Sequence, residues 1–173
     1  MKIASVILGL LLAVFIFIQI RGTIINNYEM EIGYSNYWSL ADKSSTLEAK
    51  KEYISKFEEA LDHGYRMGKF AEYDAINLKT PDNSFSKNLS ALRTLTNRLN
   101  EISKMDITSF QYNTAIEQIT RQEQGEASAM LKVFSGCYTL ENRPYLWGWI
   151  GALIIIFEII MAFVVIPVLW ETE

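Results

Sequence analysis

The sequence predicts an all-α protein in which two transmembrane helices flank a helical bundle of about three helices. Three observations predict it. An apolar run stands near each end of the chain, at 3–20 and 145–170. Between them, apolar residues recur at three- and four-residue spacing, the pattern of helices that bury one face. Alternating strand patterns are scarce, and no internal repeat is visible. The chain therefore divides into an N-terminal transmembrane signal anchor (1–21), a helical, extracytoplasmic domain (22–144), a C-terminal transmembrane helix (145–170) and a short tail (171–173).

The first run has the basic start of a signal peptide in Met1-Lys2. It is 18 residues long, however, and no small-x-small cleavage site follows it, so it reads as an uncleaved signal anchor. Ser5, Gly9 and Ala13 recur every four residues along it, a spacing that lets another helix approach closely. Beyond Arg21 the chain is mixed polar and aromatic, with Tyr28, Tyr34, Tyr37 and Trp38. The first helix is expected to leave the membrane and break near Gly33 or Asp42, its aromatic side chains resting on lipid headgroups.

In the middle, Ser45 and Glu48 fit a capping box. Behind them Leu47, Ile54, Phe57 and Leu61 share one face, which predicts a helix over about 46–65. Gly64 and Gly68 loosen its end. Thr80-Pro81-Asp82-Asn83-Ser84 is a turn that carries caps for the next helix. That helix is expected over about 84–103, with Phe85, Leu89, Leu92, Leu95, Leu99 and Ile102 on one stripe. Asp106 or Thr108 is expected to cap a third. Its apolar residues Phe110, Ile116, Ile119, Met130, Leu131 and Phe134 surround a polar run at 118–126, and Gly136 is expected to end it. Asn142-Arg143-Pro144 then turns the chain into the membrane, with Pro144 suited to a first helical turn. Short connections join antiparallel neighbours, so these helices are expected to bundle with the stalk of the first.

A bilayer's hydrocarbon core takes roughly 20 apolar residues of helix, so 145–170 is long enough to cross with some tilt. Tyr145, Trp147 and Trp149 at one end and Trp170 at the other have the placement of an aromatic belt. The ionisable side chain between those ends is Glu158. At mid-span an ionised carboxylate costs at least ~2.5 kcal/mol, so such a group is neutral or paired. With antiparallel spans, Glu158 faces the level of 9–12, which holds no polar partner, and Gln19 lies too far away to reach it. Gly148, Gly151, Ala152, Ile155, Glu158 and Ala162 fall along one side of the helix. The candidate helix-association residues are therefore Glu158, Gly148, Gly151, Ala152 and Ala162 on the closing helix, with Ser5, Gly9 and Ala13 on the first.

Composition narrows the function. The net charge is −4, against the basic face of a nucleic-acid binder, and without the spans and tail the middle is close to neutral. Cys137 and His63 are the single cysteine and the single histidine. They leave no intrachain disulfide and little basis for a zinc site or a Ser-His-Asp triad, and Cys137 reads as a small buried residue. Glu117, Glu123 and Glu126 lack the Glu-x-x-His motifs of di-iron bundles. No nucleotide-binding or nucleophile-elbow motif is found. No catalytic residue, cofactor or metal ligand is assigned, and an enzyme is not expected. The expected partners are the lipid bilayer and other membrane-protein subunits or a second copy, with no nucleic acid.

Two spans put both termini on one side of a cell membrane, and the signal-anchor start places them in the cytoplasm. In layout alone the chain is similar to the sensory half of bacterial chemoreceptors and histidine kinases, although no residue motif supports kinship. Only Glu171-Thr172-Glu173 follows the second span, too little for a signalling domain, so a sensor is expected to work through a partner. The leading reading is a non-catalytic structural or accessory subunit of a membrane complex. A sensor with a ligand pocket in its bundle, or a small oligomeric pore around Glu158, are the alternatives.

Overall fold

The computed structural model describes residues 2–74, 79–146 and 148–170, and the chain over them is all-α. Trp147 and the 171–173 tail lie outside the described residues. Residues 2–42 form one continuous rod: α1 (Lys2–Met30), a π turn (Glu31–Ser35) and α2 (Asn36–Asp42). At ~1.5 Å per residue it is about 60 Å long. Gly33 therefore sits inside a π turn rather than at a break. The reason lies in the spacing of the inward residues. Asn26, Met30, Tyr34 and Trp38 stand four apart, and on a plain α-helix such a series drifts by about 40° per step. The wider π turn absorbs that drift and keeps all four facing the bundle.

Three further helices complete the bundle: α3 (Leu47–Arg66), α4 (Phe85–Ile102) and α5 (Phe110–Asn142). Each starts on a hydroxyl cap. Thr46, one residue past the expected Ser45, accepts from Ala49 N at 3.2 Å. Ser84 accepts from Lys87 N at 3.3 Å, and Ser109 from Tyr112 N at 3.1 Å. Asp106 instead fastens the preceding turn through Thr108 N at 2.9 Å. Each such cap satisfies an amide that the helix itself cannot.

α5 does not end at Gly136. It runs on to Asn142 because Val133, Phe134, Cys137 and Tyr138 are all buried there. Gly136 serves close approach instead: a Cβ on it would lie 2.5 Å from Asp74 Cγ. Burial and the charges of Asp74 and Glu72 push the Cys137 thiol up to about 12, so it stays protonated and inert.

The core is most aromatic at the end of the bundle where α4 begins. Phe85, fully buried, stacks on Tyr65 at 4.6 Å between ring centroids. It also meets Phe70 at 4.8 Å and Phe134 at 5.1 Å. Tyr34 packs on Phe70 and Tyr138, and Trp38 on Phe57. The stalk aromatics Tyr34, Tyr37 and Trp38 thus face the core and not headgroups, leaving Tyr28 exposed. A buried aromatic side chain contributes about 1.5–3 kcal/mol, so this face outweighs any interfacial preference.

The long α3–α4 connection is tied down at Glu72. Its carboxylate accepts from Tyr65 Oη at 2.7 Å, from Ser86 Oγ at 2.6 Å and from Ser84 Oγ. Burial pushes this carboxyl up, but the hydrogen bonds from Ser84, Ser86 and Tyr65 outweigh it and hold the group below its ordinary range. Ala71 N donates to Cys137 O at 3.1 Å, which fixes the same connection to α5.

α6 (Gly148–Trp170) leaves the bundle and runs back along α1. The pairing is antiparallel, since Tyr145 meets Gly22 while Glu158 lies against Leu11, Leu12 and Phe15. The described part of the rod from Gly9 to Asp42 is long and apolar enough to cross a membrane. In α6 the stretch that stands out as apolar is the shorter Trp149–Phe163.

Candidate helix-association site

The pairing of α1 with α6 begins where the bundle ends. Asn26 is buried on α1 and donates through Nδ2 to Thr139 Oγ1 at 2.8 Å. Thr139 Oγ1 in turn donates to Ser135 O at 2.8 Å. One turn further up the rod, Glu29 accepts from Tyr138 Oη and from the Arg143 guanidinium, both at 3.2 Å. Burial, then the Glu29 charge, pushes the Tyr138 phenol up to about 12. Below this clamp, Gly22 makes room for Tyr145, whose Oη would lie 2.6 Å from a Cβ. Gly22 is thus the small residue that lets α6 close on α1.

The candidate residues fall into three groups. Glu158 is half-buried and helps line an apolar hollow of about 300 Å³ with Leu11, Leu12, Val14, Phe15, Phe157 and Met161. Its Oε1 is buried without a hydrogen-bond partner, as the apolar register opposite it predicts. Gly151 is buried against its own chain: a Cβ there would lie 2.9 Å from the Leu146 carbonyl carbon and oxygen. It therefore tightens the entry to α6. Ala13 and Ala152 are exposed, and Gly9 and Ala162 half-buried. The intrachain contact uses the adjacent face of α1, through Leu12, Phe15 and Gly22, and leaves Ala13 outward. Ser5 lies in α1 and Gly148 opens α6, and their side-chain surroundings fall outside the described residues.

Gln19, Asn26 and Arg143 join Glu158 as stranded polar groups. Among the described residues, four buried polar atoms have no hydrogen-bond partner: Gln19 Nε2, Asn26 Oδ1, Arg143 Nε and Glu158 Oε1. All lie on α1, on α6 or in the turn between α5 and α6. The outward faces beside them are apolar, with Leu10 63%, Phe17 64%, Trp149 74% and Phe163 77% exposed. A buried polar atom left unmade costs about 1–3 kcal/mol, so several in one column mark a surface whose hydrogen bonds are unfinished within this chain.

The bundle presents less. Its hollows, about 320 Å³ beside Asp82 and Met130 and about 280 Å³ beside Ser44 and Tyr112, are lined mostly by exposed or half-buried residues. His63 is exposed, and no group of three metal-ligating side chains comes together among the described residues. Comparison with protein-family models, with curated proteins and with solved structures finds no match to this chain.

Proposed function

We propose that the protein is a non-catalytic subunit of a membrane complex, with α1 and α6 as a pair of spans and the bundle held outside the lipid. The single observation that carries this is Glu158: a carboxyl with a buried, unpartnered oxygen in an apolar hollow between two apolar helices. In a soluble protein the exposed side chains of Leu10, Phe17, Leu153 and Phe163 would face water as a continuous apolar surface. Against lipid they are satisfied, and Glu158 then becomes the costly group. Its remedy is a donor from another chain, as intramembrane polar groups commonly find across helices. The outward small residues Ala13 and Ala152 favour close approach by that chain. The antiparallel packing of α1 and α6 supports both termini on one side, and the basic Lys2 before the first apolar run supports the cytoplasm as that side.

The test is purification from membranes in mild detergent, with identification of what co-purifies, after alkaline carbonate washing to score membrane integration. The proposal expects the chain to resist the wash and to elute in a complex larger than one chain. Release by carbonate contradicts the span pair, and a carbonate-resistant chain that elutes alone contradicts the subunit role.

A further inference from the structure

We propose that the turn after α3, residues 66–69, rests on the headgroup layer of the same membrane, with Met67 as its apolar contact and Lys69 and Arg21 on lipid phosphates. The inference rests on α1 and α6 being spans, and its placement comes from hydrogen bonds. Asn142 donates through Nδ2 to Lys69 O and to Tyr138 O, each at 2.8 Å, which pins the turn to the last turn of α5. Three residues later Tyr145 packs on Gly22, next to Arg21, where the apolar run of α1 stops. The turn is therefore held over the level at which the rod enters lipid.

Its shape and chemistry suit that level. Gly68 has φ +68°, and its N–H and that of Lys69 close on Tyr65 O and Gly64 O at 3.0 and 2.9 Å. This left-handed helix end makes a short, fixed projection. At its tip Met67 is 64% exposed, whereas Phe70, three residues on, is buried. Three acidic groups of the neighbouring elements are engaged, Asp62 by Arg66 at 2.6 Å, Glu29 by Arg143 at 3.2 Å and Glu72 by hydroxyls, while Glu141 beside Asn142 is exposed. Lys69 within the turn and Arg21 at the end of the apolar run of α1 are both exposed. A flexible apolar side chain with a cation in the same turn matches an interface of anionic headgroups over acyl chains.

The experiment uses the full chain in nanodiscs of phosphatidylcholine with phosphatidylglycerol, nitroxide-labelled at Met67→Cys. Leu11→Cys marks the span and Asn97→Cys the watery face of α4, while buried Cys137 stays unlabelled. Collisions with lipid-soluble oxygen and with a water-soluble nickel chelate are compared. The label at 67 is expected to favour oxygen as the label at 11 does. Lys69→Gln is expected to lower the docked population about fivefold, the worth of one basic residue at an anionic surface. A label at 67 that meets nickel like the label at 97, while the label at 11 does not, overturns the lipid contact alone. Shielding of 67 from both reagents assigns the turn to a protein neighbour and overturns it as well. Nickel access at 11 overturns the span reading together with it.

Discussion

The bundle and the span pair are held together by different chemistry, and the contrast indicates what each is for. In the bundle, apolar side chains find one another, three helix starts find caps, and the carboxylate of Glu72 collects three side-chain donors. Among the described residues, α3 and α4 contain no buried side-chain polar atom without a partner, while Gln19 and Glu158 carry one each on the α1–α6 pair and Asn26 and Arg143 where the rod meets the end of α5. A region that satisfies its own groups can fold alone. A region with apolar outer faces and stranded polar atoms is open to completion by its surroundings, which in the proposed function are lipid and another chain.

The largest break in the comparison is Phe85→Ala. Removing the ring at the centre of the aromatic cluster is expected to cost the bundle about 3–5 kcal/mol, read by denaturant melts of the full chain in detergent. Resistance to carbonate is expected to survive, because only the last turn of α1, at Met30, reaches that core. Loss of both together would show that the two regions are one cooperative unit.

Glu72→Gln sharpens the same contrast at roughly 1.5–3 kcal/mol near neutral pH, the range for hydrogen bonds to a charged group. The sign with pH follows from the lowered carboxyl. Its stabilisation is complete above the ordinary carboxylate range and is lost as pH falls through the lowered value. Wild type and variant should therefore converge only once pH has fallen below that lowered value, measured as the difference in melting midpoint across pH. A gap that persists in acid would assign the effect to packing rather than charge. The smallest effect is expected for Thr46→Ala, about 1 kcal/mol from the loss of one cap, confined to bundle stability and without effect on complex size.

Much of the bundle was legible because its helices carry three–four stripes and hydroxyl caps. The predicted 46–65 and 84–103 became Leu47–Arg66 and Phe85–Ile102. Errors arose where tertiary contact overrode a local signal. Gly136 looks like a helix stop, but Asp74 needs the room that its missing Cβ leaves. Of the two expected breaks, Asp42 is where α2 ends, but at Gly33 a π turn instead keeps Asn26, Met30, Tyr34 and Trp38 in phase. Tyr34 and Trp38 look interfacial until the rings they meet, Phe70 and Phe57, are brought from elsewhere in the chain.

At the candidate site, Glu158 was legible from its isolation in an apolar run, and its missing partner from the antiparallel register. Gln19, Gly22, Asn26 and Arg143 were not, because their roles depend on where Thr139 and Tyr145 dock. Gly151 has the spacing of a helix-association residue beside Glu158, and it packs against the backbone of its own chain. Spacing alone does not distinguish those two uses.

The central claim is that the span pair is completed by another chain at Glu158. The most direct measurement is the size of the complex extracted into native nanodiscs, compared between wild type and Glu158→Leu. A Leu fills the hollow without a stranded oxygen, so the variant should stay in the membrane and keep its folded bundle. The account predicts that wild type migrates as a larger assembly and Glu158→Leu as a single chain. An unchanged assembly in Glu158→Leu, with the bundle intact, would contradict it.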